Sequence, residues 1–170
     1  MTVVLSGCTA GEGDPTVLPP ASSASFSAPA APSPPPEAAA ETAAGASAFA
    51  RYYLGLISQA FATANPEVLR AVTAPGCEGC ERLIASVEDL RMQERKRVGG
   101  EYLVREAAAP PVVNGDVVVD ISYERAAGGV VDASGSVITS SPPVPLTNAQ
   151  VRLLRRGGGW VVQGYRVVEV

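Results

Sequence analysis

The 170-residue chain contains no histidine. That absence removes Ser–His–Asp and Cys–His triads, imidazole metal ligands and the commonest general base. Aromatic residues are scarce, at 5%. No basic residue precedes Arg51, whereas Glu12, Asp14, Glu37 and Glu41 do. Of 17 acidic side chains these four account for the whole net charge of −4, because the other 13 are balanced by 13 Lys and Arg. A neutral body with a weakly acidic head lacks the basic face that nucleic acid requires. It also lacks the polybasic segment that docks on anionic lipid. No run approaches about 18 apolar residues, so the sequence offers no transmembrane span.

Cysteine is limited to three positions, Cys8, Cys77 and Cys80. Cys8 closes the run Leu5-Ser6-Gly7-Cys8, which matches a bacterial lipobox and makes Cys8 the candidate lipidation site. The five residues before Ser6 carry no Lys or Arg and are too short for a secretory signal. Residues 1–8 are therefore read as a truncated lipoprotein signal, with an in-frame upstream start expected. If the match is chance, the protein is cytoplasmic. An acylated Cys8 would hold the chain to the outer face of the cell membrane, each buried CH₂ contributing about 0.8 kcal/mol.

Residues 9–45 are Ala, Ser, Pro, Thr and Gly with a few acids. Pro19-Pro20, Pro29, Pro32 and Pro34-Pro35-Pro36 oppose both helix and strand. Apart from Phe26, little here can be buried to offset the entropy of ordering, so a disordered tether is expected.

Residues 46–170 change character. Phe49, Tyr52, Tyr53, Leu56, Ala60, Phe61 and Ala64 recur at helical spacing. Asn65-Pro66 ends that helix and opens a short one. A second long helix is expected from Glu78 to Val98, stopped by Gly99-Gly100. From Tyr102 the period becomes two. Asn114-Gly115 is a hairpin turn signal, Val117, Val119, Ile121 and Tyr123 alternate with polar residues, and Gly157-Gly158-Gly159 joins two further β-rich runs. Helices first and an antiparallel sheet after them give an α+β fold.

Cys77-Glu78-Gly79-Cys80 admits four readings: a local disulfide, a redox dithiol, half of a zinc site, or free thiols. Glu78 and Glu81 oppose thiolate formation, and zinc would need two more ligands that the domain lacks. The structural disulfide is favoured. Arg152, Arg155 and Arg156 are read as solvated turn charge, with a phosphate contact as the alternative.

The segments Ala48-Phe49-Ala50-Arg51-Tyr52-Tyr53, Ala74-Pro75-Gly76-Cys77-Glu78-Gly79-Cys80 and Trp160-Val161-Val162 resemble a family of uncharacterised actinobacterial lipoproteins. Their fold is like nuclear transport factor 2 or SnoaL domains. The resemblance implies helices packed on a curved antiparallel sheet, a cone-like domain whose pocket would be lined by Phe49, Tyr52, Tyr53, Tyr102, Tyr123 and Trp160. Enzymes of such folds use an Asp or Tyr in the cone as acid or base, which makes Asp120, with Tyr52 and Tyr123, the candidate catalytic set. Asp120 lies opposite Val119 and Ile121, so it serves as a base only if its face looks into the cone; the solvent-facing reading is favoured. No metal or other cofactor is expected. The sequence thus points to a lipid-anchored, non-enzymatic domain binding an envelope protein or a small apolar ligand. An isomerase- or cyclase-like enzyme and a purely structural envelope lipoprotein are the alternatives.

Overall fold

A computed structural model describes residues 32–168. A 3-10 turn, Pro36–Ala39, precedes three helices: α1 Ala43–Thr63, α2 Glu67–Arg70 and α3 Glu78–Met92. Seven strands follow: β1 Lys96–Gly99, β2 Tyr102–Ala108, β3 Asp116–Arg125, β4 Gly128–Val131, β5 Val137–Ser141, β6 Val144–Arg156 and β7 Gly159–Val168. This is the α+β order expected, with antiparallel pairing throughout the strand ladders.

Helix α1 starts where the Thr42 hydroxyl accepts the Gly45 N–H at 3.1 Å, satisfying one orphan donor of the first turn. It ends where Ala64 turns left-handed, at φ 49°, and donates to the Ala60 carbonyl. Its apolar stripe buries Phe49, Tyr53, Leu56, Ile57 and Ala60. The opposing layer is the inner face of β2-β3-β6-β7, where Val119, Val151, Leu153 and Val162 are fully buried. Each such aliphatic side chain contributes roughly 1.5–3 kcal/mol on burial, so this interface is the main source of stability.

The second sheet, β1-β4-β5, grows out of the first. β1 runs into β2, β3 into β4, and β5 into β6. Backbone bonds from Gly100 N to Ala127 O and from Ala126 N to Glu101 O, both 3.0 Å, carry the ladder across the bend. The result is a curved sheet with a three-stranded arm. At the other end the edge of β7 is covered by residues 72–74: Val162 N donates to Val72 O at 2.8 Å and Ala74 N to Val162 O at 2.9 Å.

Two expectations need correction. The helix foreseen to Val98 stops at Met92; Glu94 adopts φ 53° and Lys96–Gly99 pair with Val131–Gly128 instead. Tertiary pairing overrides the helix propensity of Arg95-Lys96-Arg97. The tether foreseen through residue 45 is also too long. Ala38 is buried, α1 begins at Ala43, and a Cβ on Gly45 would stand 2.1 Å from the Ala40 carbonyl oxygen. Residues 32–42 form a strap closely apposed to the domain. The remainder of the expected tether, and the lipobox with Cys8, lie outside the described residues.

Candidate functional site

Four tyrosines converge beneath α1. Tyr53 meets Tyr165 with ring centroids 6.0 Å apart, and Tyr102 meets Tyr123 at 5.0 Å. Tyr53 comes from the buried stripe of α1, Tyr102 and Tyr123 from neighbouring strands, and Tyr165 from β7. Burial raises the phenols of Tyr53, Tyr102 and Tyr165 above their ordinary value. For Tyr165, Tyr102 and Tyr123 add to the rise; for Tyr102, Arg97 and Arg125 partly offset it. These phenols stay protonated at neutral pH and can donate hydrogen bonds but not take protons.

The Tyr53 hydroxyl is buried and, among the described residues, makes no hydrogen bond. Thr73 acts to lower its pKa against the burial, but the Thr73 hydroxyl itself donates to Leu69 O at 2.8 Å. Beside the cluster, the Arg97 guanidinium lies over the Phe61 ring at 3.8 Å. Desolvation lowers its pKa, an effect Tyr102 partly opposes.

The other expected lining residues face elsewhere. Phe49 is buried and meets Tyr52 with the rings tilted at 55° and centroids 5.6 Å apart. Tyr52 donates its hydroxyl to Pro32 O at 2.6 Å, so it holds the strap. Trp160 is buried, and its indole N–H donates to Ala40 O at 3.2 Å. Arg155 sits over the Trp160 ring at 5.2 Å and reaches Glu41 at 3.8 Å. Part of the Arg152-Arg155-Arg156 group thus fastens the strap, and Arg152 pairs with Asp116.

Asp120 lies on the outer face of β3. It is exposed and accepts from the Gln150 amide at 2.8 Å; Arg166 in turn donates to Gln150 at 2.9 Å. This ladder floors an open trough of about 350 Å³ lined by Glu106, Asp120, Ser122, Asn148 and Gln150 among others. Tyr123 points to the inner face. The candidate acid–base set of Asp120, Tyr52 and Tyr123 is therefore not brought together: Asp120 is outside the sheet, Tyr123 inside it, and Tyr52, on α1, is bonded to the strap.

Cys77 and Cys80 form a disulfide, with an S–S distance of 2.03 Å. Cys77 is also the N-cap of α3, its sulfur accepting the Cys80 N–H at 3.3 Å. Between them Gly79 abuts β7: a Cβ there would be 1.9 Å from the Tyr165 carbonyl oxygen. The motif joins α3 to the last strand, and the glycine matters as much as the cysteines. Among the described residues no group of three or more His, Cys, Asp or Glu side chains could hold a metal ion, and no helix is long and apolar enough to cross a membrane.

Sequence reasoning missed Arg97, and although the tyrosines including Tyr165 read as core and pocket lining, alternation alone does not place Tyr165 in the cluster. Arg97 sits in a basic run that reads as a helix terminus, and its neighbours give no β alternation. Tyr165 follows a register shift between Arg152 and Leu153, so counting alternate residues from Trp160 misplaces it.

The model of a family of unknown function, DUF6318, matches residues 21–166. The chain belongs to that family. No curated protein sequence matches it. Among solved structures, the intermembrane space region of the chloroplast protein ARC6 is similar over 75% of this chain and 97% of that one, with TM-score 0.56 and 12% identity. An NTF2-like protein of unknown function from Pseudomonas putida KT2440 aligns over 76% and 89%, with TM-score 0.46 and 13% identity. A cystatin-like protein from Caulobacter vibrioides aligns over 66% and 82%, with TM-score 0.41 and 13% identity. The fold of this DUF6318 member is similar to that of the ARC6 region, and at 12% identity the likeness concerns fold alone.

Proposed function

We propose that this domain is a non-enzymatic binding module, a lipoprotein of actinobacterial type held at the outer face of the cell membrane by acyl chains on Cys8. The observation that carries the non-enzymatic reading is the separation of Asp120 from the phenols by the thickness of the sheet. A general base needs a substrate cavity and hydrogen-bond reach to the proton it takes; Asp120 is solvated and engaged by Gln150. The Cys77–Cys80 disulfide supports an oxidising compartment. The inner-face side chains Val119, Val151, Leu153 and Val162 are fully buried beneath α1, which favours an envelope protein at the surface over a small apolar ligand inside.

The test uses the gene at its native locus. The wild-type chain should fractionate with membranes and yield a peptide carrying acyl mass on Cys8, and Cys8→Ser should be released to the medium. Asp120→Asn should restore whatever defect deletion causes. Recovery of Cys8→Ser in the cytosol with free thiols would overturn the address, and failure of Asp120→Asn to complement would overturn the non-enzymatic reading.

A further inference from the structure

The inner face of the curved sheet ends in two arginines that no acid accompanies. Antiparallel partners project to the same side of a sheet, and Tyr102 is the partner of Arg125. Leu103 and Glu124, the next pair, project to the other side, where Glu124 meets Arg105 at 2.6 Å. Tyr102 and Arg125 therefore share the face on which Tyr123 is buried against the Tyr102 ring. Arg97 reaches the same place from β1. Its guanidinium covers the Phe61 ring, it acts with Arg125 on the Tyr102 phenol, and the charge of Arg125 opposes its own. The stem of Arg97 is held as well: Gly100 adopts φ 73°, and a Cβ there would stand 3.1 Å from Arg97 Cδ.

This group is rich in donors and short of acceptors. A guanidinium carries five N–H donors and no acceptor, and it stays charged at neutral pH. Among the described residues neither arginine has a carboxylate within ion-pair distance, and Arg97 Nη1 is buried without an acceptor. Two like charges brought together under partial burial are unfavourable until an opposite charge joins them. Both side chains are half-buried, so they are reachable from solvent yet poorly screened by it. We propose that Arg97, Arg125 and Tyr102 bind an oxyanion, a carboxylate or phosphate group, at this end of the sheet. The planar fork of each guanidinium matches two oxygens of either group. The Tyr102 phenol, protonated at neutral pH, supplies a further donor. The site stands whether or not Cys8 carries lipid.

The test is proton–nitrogen NMR of the full chain carrying Cys8→Ser, titrated with sodium phosphate or sodium acetate. Chloride holds the ionic strength constant, so that general screening does not change. Saturable shifts of the Arg97 and Arg125 side-chain Nε–H signals are expected, with a dissociation constant below about 10 mM, while the signal of Arg152 on the outer face stays in place. Arg97→Gln and Arg125→Gln should each weaken binding about tenfold or more, as expected for a hydrogen bond to a charged group. Tyr102→Phe should weaken it about three- to tenfold, and Arg152→Gln should leave it unchanged. Binding of acetate alone makes the ligand a carboxylate, binding of phosphate alone makes it a phosphate ester, and binding of both supports the shared chemistry. Absence of saturable shifts with both probes up to about 50 mM overturns the proposal. So do shifts of equal size at Arg152, or Arg97 and Arg125 variants that are folded by far-ultraviolet circular dichroism and bind as tightly as wild type. Where a variant fails to fold, the wild-type Nε–H shifts decide.

Discussion

Gly79→Ala separates two forces that oppose each other at one position. Gly79 is the second residue of α3, and helix propensity alone makes alanine more favourable there by up to about 1 kcal/mol. The close approach to β7 argues the reverse. A Cβ would lie 1.9 Å from the Tyr165 carbonyl oxygen and 2.9 Å from its carbon. Ordinary carbon–oxygen contact needs about 3.3 Å, so the first turn of α3 must retreat by more than about 1 Å. It cannot do so freely, because Cys77 and Cys80 are tied together and both side chains are buried. Overpacking of this kind costs about 1–3 kcal/mol, and the backbone carbonyl cannot swing aside as a flexible side chain would.

Gly55 supplies the internal control. It lies on the exposed face of α1 with nothing within 4 Å of an added Cβ, so Gly55→Ala should stabilise by roughly 0.5–1 kcal/mol. Urea unfolding of both variants, read as a change in midpoint at constant slope, gives opposite signs. For a domain of this size each kcal/mol also moves the melting temperature by roughly 3–5 °C. Stabilisation by both substitutions would refute the reasoning, since it would mean that the contact between Gly79 and β7 is looser than described.

Reduction of the disulfide, or Cys77→Ser with Cys80→Ser, should cost about 2 kcal/mol on the loop-entropy model, seen as a lower melting temperature in dithiothreitol that the double variant no longer shows. Tyr53→Phe should be neutral or stabilising, because its buried hydroxyl makes no hydrogen bond among the described residues, whereas Tyr52→Phe loses the bond to Pro32 O and should destabilise by about 1 kcal/mol; chemical unfolding of the pair decides. Arg152 donates to Asp116 at 3.1 Å and holds its carboxyl below the ordinary aspartate range. A depressed carboxyl contributes stability that is complete above that range and lost as pH falls through the lowered value. For so exposed a pair the contribution is below about 1 kcal/mol, and Asp116→Asn should flatten the acid limb of a melting-temperature profile between about pH 2 and pH 5.

The sequence makes some of these features visible and hides others for identifiable reasons. Alternation along Val117–Tyr123 places Asp120 opposite Val119 and Ile121, and the structure has it exposed there. The stripe of α1 is equally plain, but composition cannot choose between Tyr52 and Tyr53. Adjacent helical residues point about 100° apart, and only Tyr53 reaches the cluster. The strap is hard to read because two of its tethering contacts use backbone: Pro32 and Ala40 contribute carbonyl oxygens, which any residue carries. Gly79 was hidden because the two flanking cysteines explain the motif without it.

These contacts share a target. The strap is held by Trp160 and Arg155 at the β6–β7 turn. Residues 72–74 bond along β7 at Val162. The disulfide-bridged start of α3 abuts Tyr165. Three segments distant in sequence thus converge on β7, covering its edge and fixing the helices against it. An uncovered strand edge invites addition of another chain, and β7 is one of the two outermost strands of the larger sheet. β5 is outermost in the smaller sheet, yet none of the three segments reaches it. The same fold therefore closes one edge with its own backbone and, among the described residues, leaves the β5 edge uncharged and without a covering segment.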